Sequence, residues 1–281
     1  MCKIIFLGTG GGRINLIEQV RKTGGFLIHS KNMLISVDPG PGALLQMHSL
    51  GIDPKKIDCV ICTHMHVDHV LDAPLLLEAM SGYTLRKGGI LIASKQIIEG
   101  DEYGDRSIIS YHQSKLEQNI IFSANDEREI KINGKGSFNL RGTGVRHNDE
   151  SGFGFVMEIG GYKIGYTSDT EYVPSLHDAA FKGADVLIAN CLKPSIDGIP
   201  DHLHSVDLAK LLGKSKPKTC IISHLGMKLI MAGPEQEAAK IESACGVKTI
   251  AARDGYFFEL KSKKWGKYSK PFQKKDSQTR L

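Results

Sequence analysis

The sequence of 281 residues has no apolar run approaching the roughly 20 residues that span a bilayer, which excludes a helical membrane protein. It also lacks collagen-like, low-complexity and disulfide-scaffold composition. Charge of one sign is concentrated only at the end. Residues 261–281 carry eight Lys or Arg and one Asp, a net +7, so with a total of +5 the first 260 residues come to −2. Such a body lacks the electrostatic footprint of a dedicated nucleic-acid binder, while the basic tail reads as a solvated terminus able to add affinity for polyanions. Near the start, the apolar run Ile4-Ile5-Phe6-Leu7 is too short for a signal peptide and reads as a first strand. The expected compartment is the cytoplasm, where structural disulfides are not expected.

Three familiar signatures are missing as well. In Gly8-Thr9-Gly10-Gly11-Gly12, the position a dinucleotide fingerprint needs for its last glycine holds Arg13. No helix-forming pattern opens directly after it, so a tight loop near an active site is expected. Ser223 beside His224 lies in no G-x-S-x-G elbow, which argues against a serine nucleophile. Cys59-Val60-Ile61-Cys62 is a lone C-x-x-C inside an apolar run, as buried strand cysteines would be, with no second pair to complete a zinc knuckle.

What is present is a mixture of strands and helices without an internal repeat or linker. Phe26–His29 and Met33–Val37 predict a hairpin, and so do Phe153–Ile159 and Tyr162–Tyr166 around Gly160-Gly161. The segments 57–62, 89–93, 138–145, 185–189, 219–223 and 247–251 read as further strands, and Asp254-Gly255 turns the chain into 256–260. Helices are predicted over 73–80, from Ser205 to Gly213, and from Pro234 to Cys245 with Gly246 beyond its end. The simplest organisation is one α/β domain over residues 1–260 and a basic tail over 261–281.

The informative stretch is Thr63-His64-Met65-His66-Val67-Asp68-His69, directly after a buried strand. Imidazole and carboxylate are donors that Zn²⁺ prefers, and a tight turn can send His64 and His66 one way and Asp68 and His69 another. Two clusters from one loop suggest two adjacent metal ions. Four side chains would leave both underfilled, so others must come from the ends of other strands, where His147, Asp169 and His224 stand. A carboxylate has two oxygens and can bridge two metals, which singles out Asp169.

With these pieces in view, the chain resembles the metallo-β-lactamase-fold hydrolases, and among them the ribonuclease-Z-like phosphodiesterases. The likeness covers about residues 3–260. It rests on Phe6-Leu7-Gly8-Thr9-Gly10-Gly11, Asp38-Pro39-Gly40, the His64–His69 motif, His147, Ser168-Asp169-Thr170, His204-Ser205 and Ser223-His224-Leu225. The resemblance implies a four-layer αββα sandwich and two Zn²⁺, at donors that also accept Mn²⁺ or Fe²⁺. It implies one ligand set of His64, His66, His147 and Asp169, and another of Asp68, His69, Asp169 and His224. Asp38 would support the metal loops from behind. A hydroxide between the metals would attack phosphorus, oriented by Asp68, and His204 would serve the leaving oxygen. His202 competes with His204 for that role, and His202 and Ser205 are candidate substrate contacts.

Ribonuclease Z itself grips transfer RNA with a long Gly/Pro-rich arm, which common bacterial and archaeal forms insert between the residues matching His147 and Asp169. Here those two are only 22 apart, with a hairpin between them. The expectation is therefore a phosphodiesterase for small or cyclic phosphodiesters or short nucleic acids. The alternatives are an armless transfer-RNA 3′-processing endoribonuclease and a lactonase- or thioesterase-like acyl hydrolase. A non-enzymatic RNA-binding module would use the tail, with Trp265, Tyr268 and Phe272 for stacking. Relatives of this kind suggest a homodimer without membrane attachment.

Overall fold

The computed structural model describes residues 2–194 and 200–269. Two eight-stranded assemblies face each other. The first begins with β1 (Cys2–Phe6), β2 (Phe26–Ser30), β3 (Met33–Val37), β4 (Cys59–Cys62), β5 (Ile90–Ala93) and β6 (Gln118–Ile121). The second contains β7 (Glu127–Ile132), β8 (Gly136–Thr143), β9 (Gly154–Ile159), β10 (Tyr162–Tyr166), β11 (Val186–Lys193), β12 (Leu203–His204), β13 (Cys220–Ser223) and β14 (Thr249–Ala251). The chain then returns to the first sheet as β15 (Tyr256–Glu259) and β16 (Lys264–Lys267). The strand orders are β16-β15-β1-β2-β3-β4-β5-β6 and β14-β13-β11-β10-β9-β8-β7, with the short β12 alongside β11.

The strict alternation of side chains along a strand explains why the apolar runs are continuous. Ile4 and Phe6 of β1 point into the layer between the sheets, where they join Ile28, Ile35, Phe155, Ile164 and Ile188. Ile5 and Leu7 point outward to a second layer with Met47, Leu76, Leu77 and Ile97 from helices. On the far side, Leu187 and Ile222 meet Leu208, Leu211, Leu212 and Ile241 from the helices Ser205–Ser215 and Pro234–Cys245. Three apolar layers require four layers of structure, an αββα sandwich. The same alternation settles the C-x-x-C pair. Cys59 belongs to the inner layer and Cys62 to the outer one, so a spacing of three in a strand turns the two thiols to opposite faces. Both are buried and free, and burial raises both thiol pKa values.

Both predicted hairpins form, and Gly160 and Gly161 take φ of 59° and 82°, the positive values that a primed two-residue turn demands. Three expectations need correction. A helix, Gly12–Glu18, does open directly from the glycine loop. It buries only Asn15, whose side chain bonds the backbone N–H and carbonyl of Arg21, and it leaves Ile14 and Ile17 exposed, so no apolar stripe announces it. The helix from Ser205 runs through Gly213 to Ser215, because Ser215 is buried one turn after Leu211 and Leu212. The tail does not begin at residue 261. Residues Lys264–Lys267 pair with β15, and the Trp265 ring meets the edge of Phe6 at 5.9 Å and Tyr256 at 5.5 Å. Tyr268 packs on the outer layer and its ring meets Phe257 at 6.3 Å. These two aromatics are thus part of the fold rather than a base-stacking surface. Phe272 and the basic residues from Lys270 onward lie outside the described residues.

Candidate metal centre

The site forms where strands of both sheets end at one rim. Directly after β4, the Thr63 N–H and hydroxyl donate to the two oxygens of Asp38 at 2.7 and 2.8 Å. That clamp starts a sharp turn through His64 and His66 into the four-residue helix Val67–Val70, whose first turn holds Asp68 and His69. Asp38 also accepts from the Tyr166 hydroxyl at 2.8 Å and faces His69 Nδ1 at 3.0 Å, so a single buried carboxylate sets the loop and one of its rings. Asp149 adds a second tie by accepting from the Met65 N–H at 2.8 Å, which joins this loop to the one carrying His147.

Asp169 follows β10 and His224 follows β13. Asp38, Ser168 and His224 each sit at a left-handed φ, 46°, 55° and 55°, a conformation that strains non-glycine residues. The glycine loop makes room for this: a Cβ on Gly11 would overlap the His224 ring, and one on Gly40 would overlap the Asp68 carbonyl.

Together the loops aim five imidazole Nε2 atoms at one oxygen. Asp169 Oδ2 lies 3.3 Å from His202 and His224, 3.4 Å from His69, and 3.9 Å from His64 and His147. Asp68 Oδ2 is 3.3 Å from His224 Nε2 and 4.0 Å from His69 Nε2. His66 completes the group, its ring 4.8 Å from those of His64 and His147. The donor atoms fall into two main sets within 4.8 Å: His64, His66, His147 and Asp169, and separately Asp68, His69 and His224. His69 also stands within that reach of His64 and Asp38.

These residues fit divalent cations. Nε2 of His64, His69 and His147 is buried without a hydrogen-bond partner. Donors roughly 2.1 Å from a tetrahedral zinc stand roughly 3.4 Å from one another, much as several of these do.

Charge is unevenly distributed in the cluster. Burial lowers the His64 and His66 pKa values, with neighbouring imidazoles adding to it, and burial pushes His147 down to about 4. Burial opposes the charge on His69 too, but the Asp169 and Asp68 carboxylates override it and raise that pKa well above its ordinary value. Asp169 and Asp68 are in turn held low by the histidines against the cost of burial. The metal-free centre thus has neutral imidazoles on one side and a proton on His69 on the other.

A metal at His69 Nε2 must displace that proton. At pH 7 we expect zinc titrations to release at least one proton, with affinity rising about tenfold per pH unit above 6.5 until His69 ionises on its own. Calorimetry in buffers of different ionisation enthalpy measures this, and a heat independent of buffer would refute it.

The residues around His202 depart from expectation. His202 lines the cavity above the cluster, its Nδ1–H donates to the Pro200 carbonyl at 3.1 Å, and its Nε2 faces Asp169. Burial opposes its charge, yet the Asp169 hydrogen bond raises its pKa. His204 instead caps the helix Ser205–Ser215: its Nδ1 accepts from the Asp207 N–H at 3.3 Å and its Nε2 lies 3.0 Å from the Asp207 carboxylate. Ser205 is buried and donates to the Pro194 carbonyl. Neither lines the cavity over the cluster. The physical reason is the helix start: Asp207 engages both ring nitrogens of His204 and holds that ring over the first turn of its own helix.

Sequence reasoning missed Asn190 and Tyr166. Asn190 Nδ2 donates to Asp169 Oδ1 at 2.7 Å and to the Tyr166 hydroxyl at 3.1 Å. The one available signal was a lone amide inside the apolar run Val186-Leu187-Ile188-Ala189-Asn190-Cys191-Leu192.

The chain belongs to the metallo-β-lactamase superfamily, matching the Beta-lactamase superfamily domain over residues 34–225. It is 36% identical to MJ1374 of Methanocaldococcus jannaschii over 268 residues, 95% of this chain and 97% of that one. It is 26% identical to the ribonuclease Z of Thermococcus kodakarensis, covering 94% and 97% of the two chains. That alignment runs over 316 positions, more than the length of this chain, so the ribonuclease carries insertions absent here. In fold, the chain is similar to the metallo-β-lactamase fold protein YhfI of Bacillus subtilis, with a TM-score of 0.72, 20% identity and coverage of 92% and 98%. With this fold and these relatives the protein is a metal-dependent hydrolase, similar to ribonuclease Z.

Proposed function

We propose that this centre hydrolyses small or cyclic phosphodiesters, or short nucleic acids, with two divalent ions held by the chain. One ion falls to His64, His66, His147 and Asp169, the other to Asp68, His69, His224 and Asp169, with Zn²⁺, Mn²⁺ and Fe²⁺ all suited to these donors. The observation that carries the reading is the convergence of the Nε2 atoms on Asp169 Oδ2, beneath an open cavity of about 990 Å³. The bond type is argued from the likeness to ribonuclease Z over nearly the whole chain. When bound, such ions polarise phosphoryl oxygens and ease the ionisation of water.

The chain supplies the rest. Asp68, at the cavity floor, accepts a hydrogen bond from the attacking water and aligns it. His202, with its raised pKa, gives a proton to the departing oxygen. Asp38 fixes His69 through Nδ1, and Asn190 fixes Asp169 through Oδ1, so each presents one chosen atom to the centre.

The test is a substrate panel on protein of measured metal content: bis(p-nitrophenyl) phosphate, 2′,3′- and 3′,5′-cyclic nucleotides, precursor transfer RNA, a lactone and a thioester. We expect turnover of phosphodiesters that a chelator abolishes and Zn²⁺ or Mn²⁺ restores. Turnover of the acyl substrates alone would reassign the chemistry.

A further inference from the structure

The walls of the cavity are acidic well beyond the residues assigned to metal. Glu102, Glu150 and Asp201 line it, and none is paired with a lysine or arginine among the described residues. Asp101 lines it too and uses one oxygen to accept the Tyr103 and Asp105 N–H groups of its own turn. Among the described residues, Arg13 is the one lysine or arginine that lines the cavity, and it makes no ion pair. The same cavity is also lined by the apolar Ile14, Leu16, Met65, Val67 and Leu192, of which Ile14 is 67% and Val67 52% exposed while Leu192 is buried. Exposed apolar side chains beside a buried ligand cluster are surface that a substrate can cover.

We infer that, given the phosphodiesterase reading above, the substrate carries a single negative charge at the scissile phosphodiester and an uncharged, largely apolar arm. The lone guanidinium of Arg13 suits one phosphoryl oxygen. A second phosphate on the substrate would stand among three or four carboxylates with no further lysine or arginine among the described residues lining the cavity to meet it. At separations near 10 Å in water each such pair repels weakly, but a dianion against several carboxylates accumulates roughly a tenfold penalty at low salt. The apolar lining rewards an aromatic or aliphatic arm by removing its surface from water. In the hydrolysis of such a substrate, the water oxygen joins phosphorus, the phosphorus bond to the departing oxygen breaks, and that oxygen takes up a proton.

Two chromogenic compounds with the same scissile bond isolate the effect. They are thymidine 5′-(p-nitrophenyl phosphate) with a free 3′-hydroxyl, and the same compound with a 3′-phosphate. With the full-length, metal-loaded protein we expect kcat/KM to favour the 3′-hydroxyl compound about tenfold or more at low salt. Added salt should narrow that ratio by raising the rate on the 3′-phosphate compound. The Glu102→Lys/Glu150→Lys variant, changed at two exposed positions, should narrow the ratio as well, and its circular dichroism reports folding. Equal rates on both compounds, or a rate on the 3′-phosphate compound that falls with salt as attraction would make it, overturn the inference while leaving phosphodiester hydrolysis in place. Cleavage of neither compound, with bis(p-nitrophenyl) phosphate, the cyclic nucleotides and precursor transfer RNA also left intact, overturns both readings.

Discussion

Replacing Asp169 with asparagine is expected to leave a folded protein that has lost at least about 100-fold in metal affinity, with activity falling in parallel. Outer partners of metal ligands alone are worth 10- to 100-fold, so a residue proposed to face both metal positions sets a higher floor. The structure supplies a sharper reason than the loss of charge. Asp169 Oδ1 is committed to accepting from Asn190 Nδ2 at 2.7 Å. An amide at position 169 would have to keep its oxygen there, which turns its NH₂ toward the Nε2 atoms of His64, His69, His147 and His224. A donor would then occupy the place where cations need an acceptor. Removing Asn190 frees that choice, so Asp169→Asn combined with Asn190→Ala should recover part of the metal binding. Metal content by emission spectroscopy, and kcat/KM on bis(p-nitrophenyl) phosphate, read the outcome. Wild-type metal content in Asp169→Asn would disprove the central role of this carboxylate.

The second large effect separates two histidines that are two residues apart. His202→Ala should lower kcat roughly 100-fold or more with metal content preserved, as loss of a general acid does. Because an activated leaving group needs no proton, the defect should shrink on p-nitrophenyl esters and be largest on alkyl or nucleoside leaving groups. That dependence is a signature a structural defect would not produce. The neutral side of the pH profile should also change. A proton donor must carry its proton, so activity on alkyl esters should fall as pH rises through the pKa of His202, and the variant should lack this descending limb. His204→Ala removes a helix cap and should cost about 1 kcal/mol of stability, seen as a shifted urea midpoint, with kcat near that of the wild type. The opposite pattern would return the proton-transfer role to His204.

How much of this was legible in residue order depends on how local each feature is. His64, His66, Asp68 and His69 could be found because four donors stand within six positions, and the turn that separates them is itself local. The continuous apolar runs announced strands buried on both faces, whereas the four-layer sandwich came only from the family resemblance, and the spacing of Cys59 and Cys62 already carried their divergence once β4 was known to be extended. The helix Gly12–Glu18 was hidden because its exposed face is the apolar one, and Lys264–Lys267 because its basic side chains resemble a solvated tail while Trp265 reaches inward between them.

Residue order determined which donor types are available, their grouping in one loop, and the alternation that stacks two sheets between helices. Only the tertiary structure decided that Asp169 presents Oδ2 while Asn190 holds Oδ1, that His202 rather than His204 faces the cluster, and that carboxylates rim the cavity. Each of those outcomes depends on contacts between segments far apart in the chain, and on backbone angles such as the left-handed φ of Asp38, Ser168 and His224. Such angles are imposed by packing around them, because the local preference of those residues runs the other way.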